Sequence, residues 1–114
     1  MRVMVLVKAT EPSEQNGFDP EWMADMMAAM GRFNDALEAA GILITAAGLA
    51  PSSAGKRIAF DGAGRRVVDG PFTPAHDQVA GFWLWEVKDM AEAIEWVKRC
   101  PNPMPVPSEI RPLD

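Results

Sequence analysis

A chain of 114 residues with a net charge of −5 is the size of one ordinary domain, 1–114, long enough to bury a core without metal or disulfide staples. Its acidic field opposes phosphate backbones and anionic membranes, so neither nucleic acid nor a membrane is an expected partner, and one cysteine makes no internal bridge. With 48% hydrophobic and 24% charged residues the composition is that of a soluble globular protein, and the apolar run at Val3 to Val7 is too short for a leader or a span, so cytoplasm is the expected compartment.

"MRVMVLVKAT" is rich in valine and predicts a strand, with Val3, Val5 and Val7 on one face and Met4 and Leu6 on the other. "GFDPEWMADMMAAMGRFNDALEAAG" carries strong helix signals. Asp19 is placed to cap, Pro20 suits the first helical position, and Glu21 favours the positive end of the dipole. Phe18 and Met23 are spaced for a hydrophobic staple. Trp22, Met26, Met30, Phe33 and Leu37 recur at helical spacing and predict the buried stripe, and Met23, Met26, Met27 and Met30 read as adaptable core filler. Gly41 offers the stop. "ILITAAGL" then predicts a strand, "APSSAG" a loop, and "KRIAF", "DGAG" and "RRVVD" a hairpin.

"VVDGPFTPAHD" follows. Asp69, Gly70 and Pro71 are turn formers, and Phe72 is placed to anchor the loop. Thr73 and Pro74 repeat the logic of a helix start, which predicts one helical turn with His76 at its third position. "QVAGFWLWEV" predicts a strand apolar on both faces, with Trp83 and Trp85 alternating with Phe82 and Leu84. "KDMAEAIEWVKRCP" predicts a second helix, with Asp89 and Glu92 as a capping box and Pro101 as its stop. The alternate prolines of "NPMPVP" predict an extended path, and "SEIRPL" a final edge strand.

The order is strand, helix, four strands, helix, strand. Two helices cover one face of such a sheet and leave the other apolar face open. At about 25 cal/mol per Å2, leaving its large side chains in water costs several kcal/mol. A second copy, sheet against sheet, is the simplest cover and predicts a two-fold homodimer.

"VVDGPF" followed by "AGFWLW", "EAIEWVKRCPNPMP" and "SEIRPL" resembles the DGPF-domain proteins of the YCII-related family. The motif residues here are Asp69, Gly70, Pro71 and Phe72, joined by Gly81 and Glu109. The resemblance implies an α+β, ferredoxin-like fold, an antiparallel sheet with two helices on one face that dimerises into an α/β barrel. It also implies an active-site histidine and aspartate in those members that carry out dehydrochlorination or isomerase-like steps on small ring compounds. Other members are implied to accompany alternative sigma factors.

His76 is the only histidine, the side-chain type whose unperturbed pKa lies near neutrality, and reads either as a general base oriented by Asp77 or Asp69, or as a solvent-facing loop residue. Asp69 reads as an acid or base, or as a turn former. The expected cleft lies between sheet and helices, is lined by Phe72, Trp83 and Trp22, and takes a small organic molecule. Arg57 and Arg66 either steady an anionic ligand there or, with Lys56 and Arg65, keep the hairpin edge from pairing with other molecules. Cys100 at a helix carboxyl end reads as inert. No metal-ligand spacing and no cofactor motif is legible. The sequence therefore supports two readings, a proton-transfer enzyme of isomerase or lyase type and a non-catalytic ligand-binding or regulatory module.

Overall fold

The computed structural model describes residues 1–14, 17–102 and 106–114, with the side chain of His76 outside the described set. β1 (Arg2–Lys8), α1 (Glu11–Glu14), α2 (Pro20–Ala39), β2 (Leu43–Gly48), β3 (Lys56–Asp61), β4 (Gly64–Asp69), β5 (Val79–Glu86), α3 (Met90–Lys98) and β6 (Ser108–Pro112) follow in chain order. Single 3-10 turns lie at Ser52–Ala54 and Ala75–Asp77. The fold is α+β and its pairings are all antiparallel, in a four-stranded sheet of order β2-β5-β1-β6 and a separate two-stranded sheet β3-β4. The expected third and fourth strands thus form a hairpin outside the main sheet. None of the helices among the described residues is long and apolar enough to cross a membrane.

Local chemistry explains the ends of the helices. Asp19 accepts from the Trp22 amide at 3.1 Å, and Asp89 accepts from the Glu92 amide at 2.9 Å. The reciprocal bond of the second cap goes from the Lys88 amide to Glu92 at 2.9 Å, one residue before the cap itself. Phe18 stacks on Trp22, with centroids 4.6 Å apart, and Met23 is 36% exposed. Met27 is also outside, 68% exposed, so only Met26 and Met30 of the four methionines serve as filler. α1 was not foreseen. Thr10 and Ser13 cap it reciprocally, each amide donating to the other's hydroxyl. Of the expected extended run 102–107, residues 103–105 lie outside the described set.

One face of the main sheet carries Val3 and Val5 of β1 opposite Trp85 and Trp83 of β5. These pack with Phe33 and Leu37 of α2 and Ala93 of α3 into the core. Phe33 meets Trp83 edge-on at 5.6 Å, a geometry the ring quadrupoles favour. The opposite face carries Met4 and Leu6 against Leu84 and Phe82. They are half-buried and belong to no core cluster. Glu109 and Arg111 flank them on edge strand β6. A chain of this length packed compactly has a radius of gyration of about 13 Å. The observed 15.9 Å and extents of 46 × 39 × 20 Å describe a slab with one sheet face uncovered by helix.

Candidate functional site

The DGPF segment lies at the foot of the hairpin. Asp69 ends β4 opposite Lys56, whose Nζ donates to its Oδ1 at 2.6 Å. The Asp69 side chain is 76% exposed, and ion pairs so solvated contribute about 0–1 kcal/mol. Gly70 is held for space. A Cβ there would lie 1.9 Å from the Ser52 carbonyl oxygen and 3.2 Å from the Phe72 ring, so only glycine lets the two backbone segments touch. Its amide donates to the Gly55 carbonyl at 3.2 Å, and the peptide bond to Pro71 is cis. Ser52 is held from the far side by Glu14 of α1, which accepts from its amide at 3.1 Å and also from its hydroxyl. The motif therefore fastens the hairpin to the 51–55 loop and, through Glu14, to the amino-terminal segment.

The turn after the motif starts one residue later than expected and lacks the expected cap. Pro74 precedes it, no side chain caps it, and the Thr73 hydroxyl accepts from the Gln78 amide group instead. His76 belongs to this turn by its backbone. The expected role of its side chain as a base lies outside the described residues.

Three hollows receive the expected aromatic residues separately. The first, about 330 Å3, lies between α2 and the main sheet and contains Trp83. Trp22 lines a second of about 210 Å3, which shares Val7, Met30 and Ala80 with the first and so continues it along α2. Phe72 lines a third, about 430 Å3, beside the 49–55 loop. Asp69, Arg57 and Arg66 line none of the three. Arg57 instead lies over the Phe72 ring at 4.5 Å, a cation-π contact. It shares a hairpin face with Arg66, since Ala59 two residues on from Arg57 pairs with Arg66.

The first hollow has a cause in the sequence. Its floor is the stretch where Gly48 of β2 faces Gly81 of β5, next to Ala46 opposite Trp83. Side chains directly opposite in an antiparallel pair share a face, and Gly81 also pairs with Val7, in line with the buried Val5 and Val3. Two missing side chains in a row leave the sheet bare beneath Met30 and Asn34 of α2. A Cβ at Gly48 meets nothing within 4 Å. Among the described residues, Asn34 is the only wholly polar side chain of the lining and no titratable group belongs to it. Its Oδ1 accepts from the Trp83 indole N–H at 2.7 Å. Sequence reading missed Asn34, although its position four residues after Met30 and three before Leu37 puts a polar side chain inside the apolar stripe, a visible signal.

Cys100 lines the second hollow, and burial pushes its thiol up to about 11. Against the ordinary thiol value of 9.0, this leaves about 100-fold less thiolate at neutral pH. Alkylation at pH 7.5 is expected to be at least about 100-fold slower in the folded protein than in urea, and equal rates would contradict the burial. The linkage has a definite sign. The unfolded thiol loses its proton first as pH rises, so the contribution of burial is intact below about 9 and is lost between about 9 and 11.

Among the described residues no group of three or more His, Cys, Asp or Glu is gathered to hold a metal ion. No curated protein matches the chain. The family comparison does find a match, with the YCII-related domain covering residues 1–111, nearly the whole length and every element from β1 to the edge strand. The chain belongs to the YCII-related domain family.

Proposed function

We propose that this chain works as a homodimeric protein that binds a small organic molecule in the hollow beneath α2. The observation that carries the reading is the facing glycine pair, Gly48 and Gly81, which holds open about 330 Å3 next to a buried tryptophan. Ligand pockets start at about 300 Å3 and are mostly apolar with few polar groups. Binding is favoured over proton transfer because, among the described residues, that lining contains no titratable side chain, whereas Asp69 is in solvent with Lys56. Asp69, Arg57 and Arg66, the expected base and anion partners, line none of the three hollows.

Homodimerisation rests on the uncovered sheet face. Met4, Leu6, Phe82 and Leu84 form its apolar centre, and Glu109 and Arg111 at its rim give the same strand both signs of charge, so two copies related by a two-fold axis offer each other opposite charges. With the hairpin set aside, the order β2-β5-β1-β6 with α2 and α3 on one face supports reading the body as a ferredoxin-like unit, two of which, stacked by their open faces, would make the dimeric α/β barrel.

The experiment is a thermal-shift screen of small aromatic and lactone compounds against the native chain and Gly48→Val. The variant puts a side chain into open space and replaces a strand glycine, which is expected to raise stability by about 0.5–1 kcal/mol. Stabilisation by a ligand in the native chain and its loss in Gly48→Val support the reading. Equal ligand shifts in both contradict it.

A further inference from the structure

The chemistry of the lining restricts what the hollow accepts. Indole N–H only donates, so the atom of Asn34 facing Trp83 at 2.7 Å is the amide oxygen. The orientation of the amide is thereby fixed, and its NH2 group makes no hydrogen bond within the protein among the described residues. Among the described residues, the remainder of the lining is Val7, Met30, the β5 strand at Phe82, small residues of the sheet, and the aromatic side of Trp83. A charged ligand would lose its hydration there without a counter-ion, at a cost of several kcal/mol. A wholly apolar ligand would bury the Asn34 donor without a partner.

Resting on the binding reading above, we infer that the hollow selects a small uncharged molecule with an apolar body and one hydrogen-bond acceptor, a ketone, ester or lactone carbonyl, which accepts from Asn34 Nδ2 while the body lies on the glycine floor against Trp83. Asn34 is both the recognition group and, through its oxygen, the clamp that holds Trp83 in place. Acids of the same shape are rejected.

The test uses the full chain labelled with 15N, reading the Trp83 indole N–H resonance, which Trp83→Phe identifies. Acetophenone, ethylbenzene and benzoate share a ring and differ in acceptor and charge. Acetophenone is expected to move the resonance and to bind about tenfold or more tightly than ethylbenzene, the worth of one good hydrogen bond, with benzoate weaker than both. Asn34→Asp keeps an acceptor for the indole and removes the donor. It is expected to leave the fold intact and bring acetophenone down to the level of ethylbenzene. If acetophenone and ethylbenzene bind equally and Asn34→Asp changes neither, or if benzoate binds most tightly, the ligand class is wrong while the hollow remains a binding site. If none of the three moves the resonance in the native chain, the binding reading falls with it.

Discussion

Gly70→Ala is expected to free the hairpin from the body of the protein and to cost at least about 1–3 kcal/mol, the usual range for overpacking. The added methyl would stand 1.9 Å from a backbone oxygen, that of Ser52. A flexible side chain swings aside, but this carbonyl belongs to a loop whose amide and hydroxyl are held by Glu14. Relief therefore requires β4 to withdraw, breaking the bond from the Gly70 amide to Gly55 and unseating Phe72. Hydrogen exchange is expected to show faster exchange for the β3-β4 amides than for those of the main sheet, because the two sheets share no ladder bonds. Asp69→Asn is the control, expected to stay within about 0.5 kcal/mol because its pair is solvated. The reverse ranking would make Asp69, not Gly70, the reason for the motif.

Trp85→Ala is expected to cost about 3–5 kcal/mol in urea unfolding, a large part of the stability of a domain this size. Trp85 is fully buried and its ring lies 5.8 Å from that of Trp83 and 6.3 Å from that of Phe33. Alanine would remove the body that separates β5 from α2. Trp85→Phe is expected to cost much less. The indole nitrogen of Trp85 is buried with no hydrogen-bond partner among the described residues, and phenylalanine dispenses with that donor while filling most of the volume. Trp83→Phe forgoes the bond to Asn34 at 2.7 Å and is expected to be the costlier of the two Phe substitutions, although Trp83 is the less buried ring. Equal losses at both positions would contradict the assignment of the orphan donor.

Much of the fold was legible because its signals are local. Asp19 and Pro20 start α2, Asp89 starts α3, and the alternation in "VAGFWLWEV" gives both faces of β5. The hairpin's independence was not legible, since nothing in "KRIAF" or "RRVVD" says whether its edges pair with the main sheet. Phe60 of that hairpin is 72% exposed, with Arg65 over its ring at 4.6 Å. The candidate site was legible in pieces. Trp83 and Trp22 line neighbouring hollows, but Phe72 lines another. The hollow itself depends on Gly48 meeting Gly81 across two strands far apart in the chain, a matter of register that no local pattern encodes.

The sheet organises everything else. Its helix-covered face holds Trp83, Trp85 and the glycine floor, and its uncovered face presents Met4, Leu6, Phe82 and Leu84. Half-buried apolar side chains gathered on a face that no helix covers suit an interaction site, and the proposed occupant is a second copy. Sedimentation equilibrium of the native chain and of Leu84→Glu, at micromolar to millimolar concentration, is the direct measurement. The account predicts a native species of twice the 12.4 kDa chain mass and a folded monomer once a carboxylate is placed on that face. A native chain that remains at 12.4 kDa throughout, or a dimer that Leu84→Glu leaves intact, would contradict it.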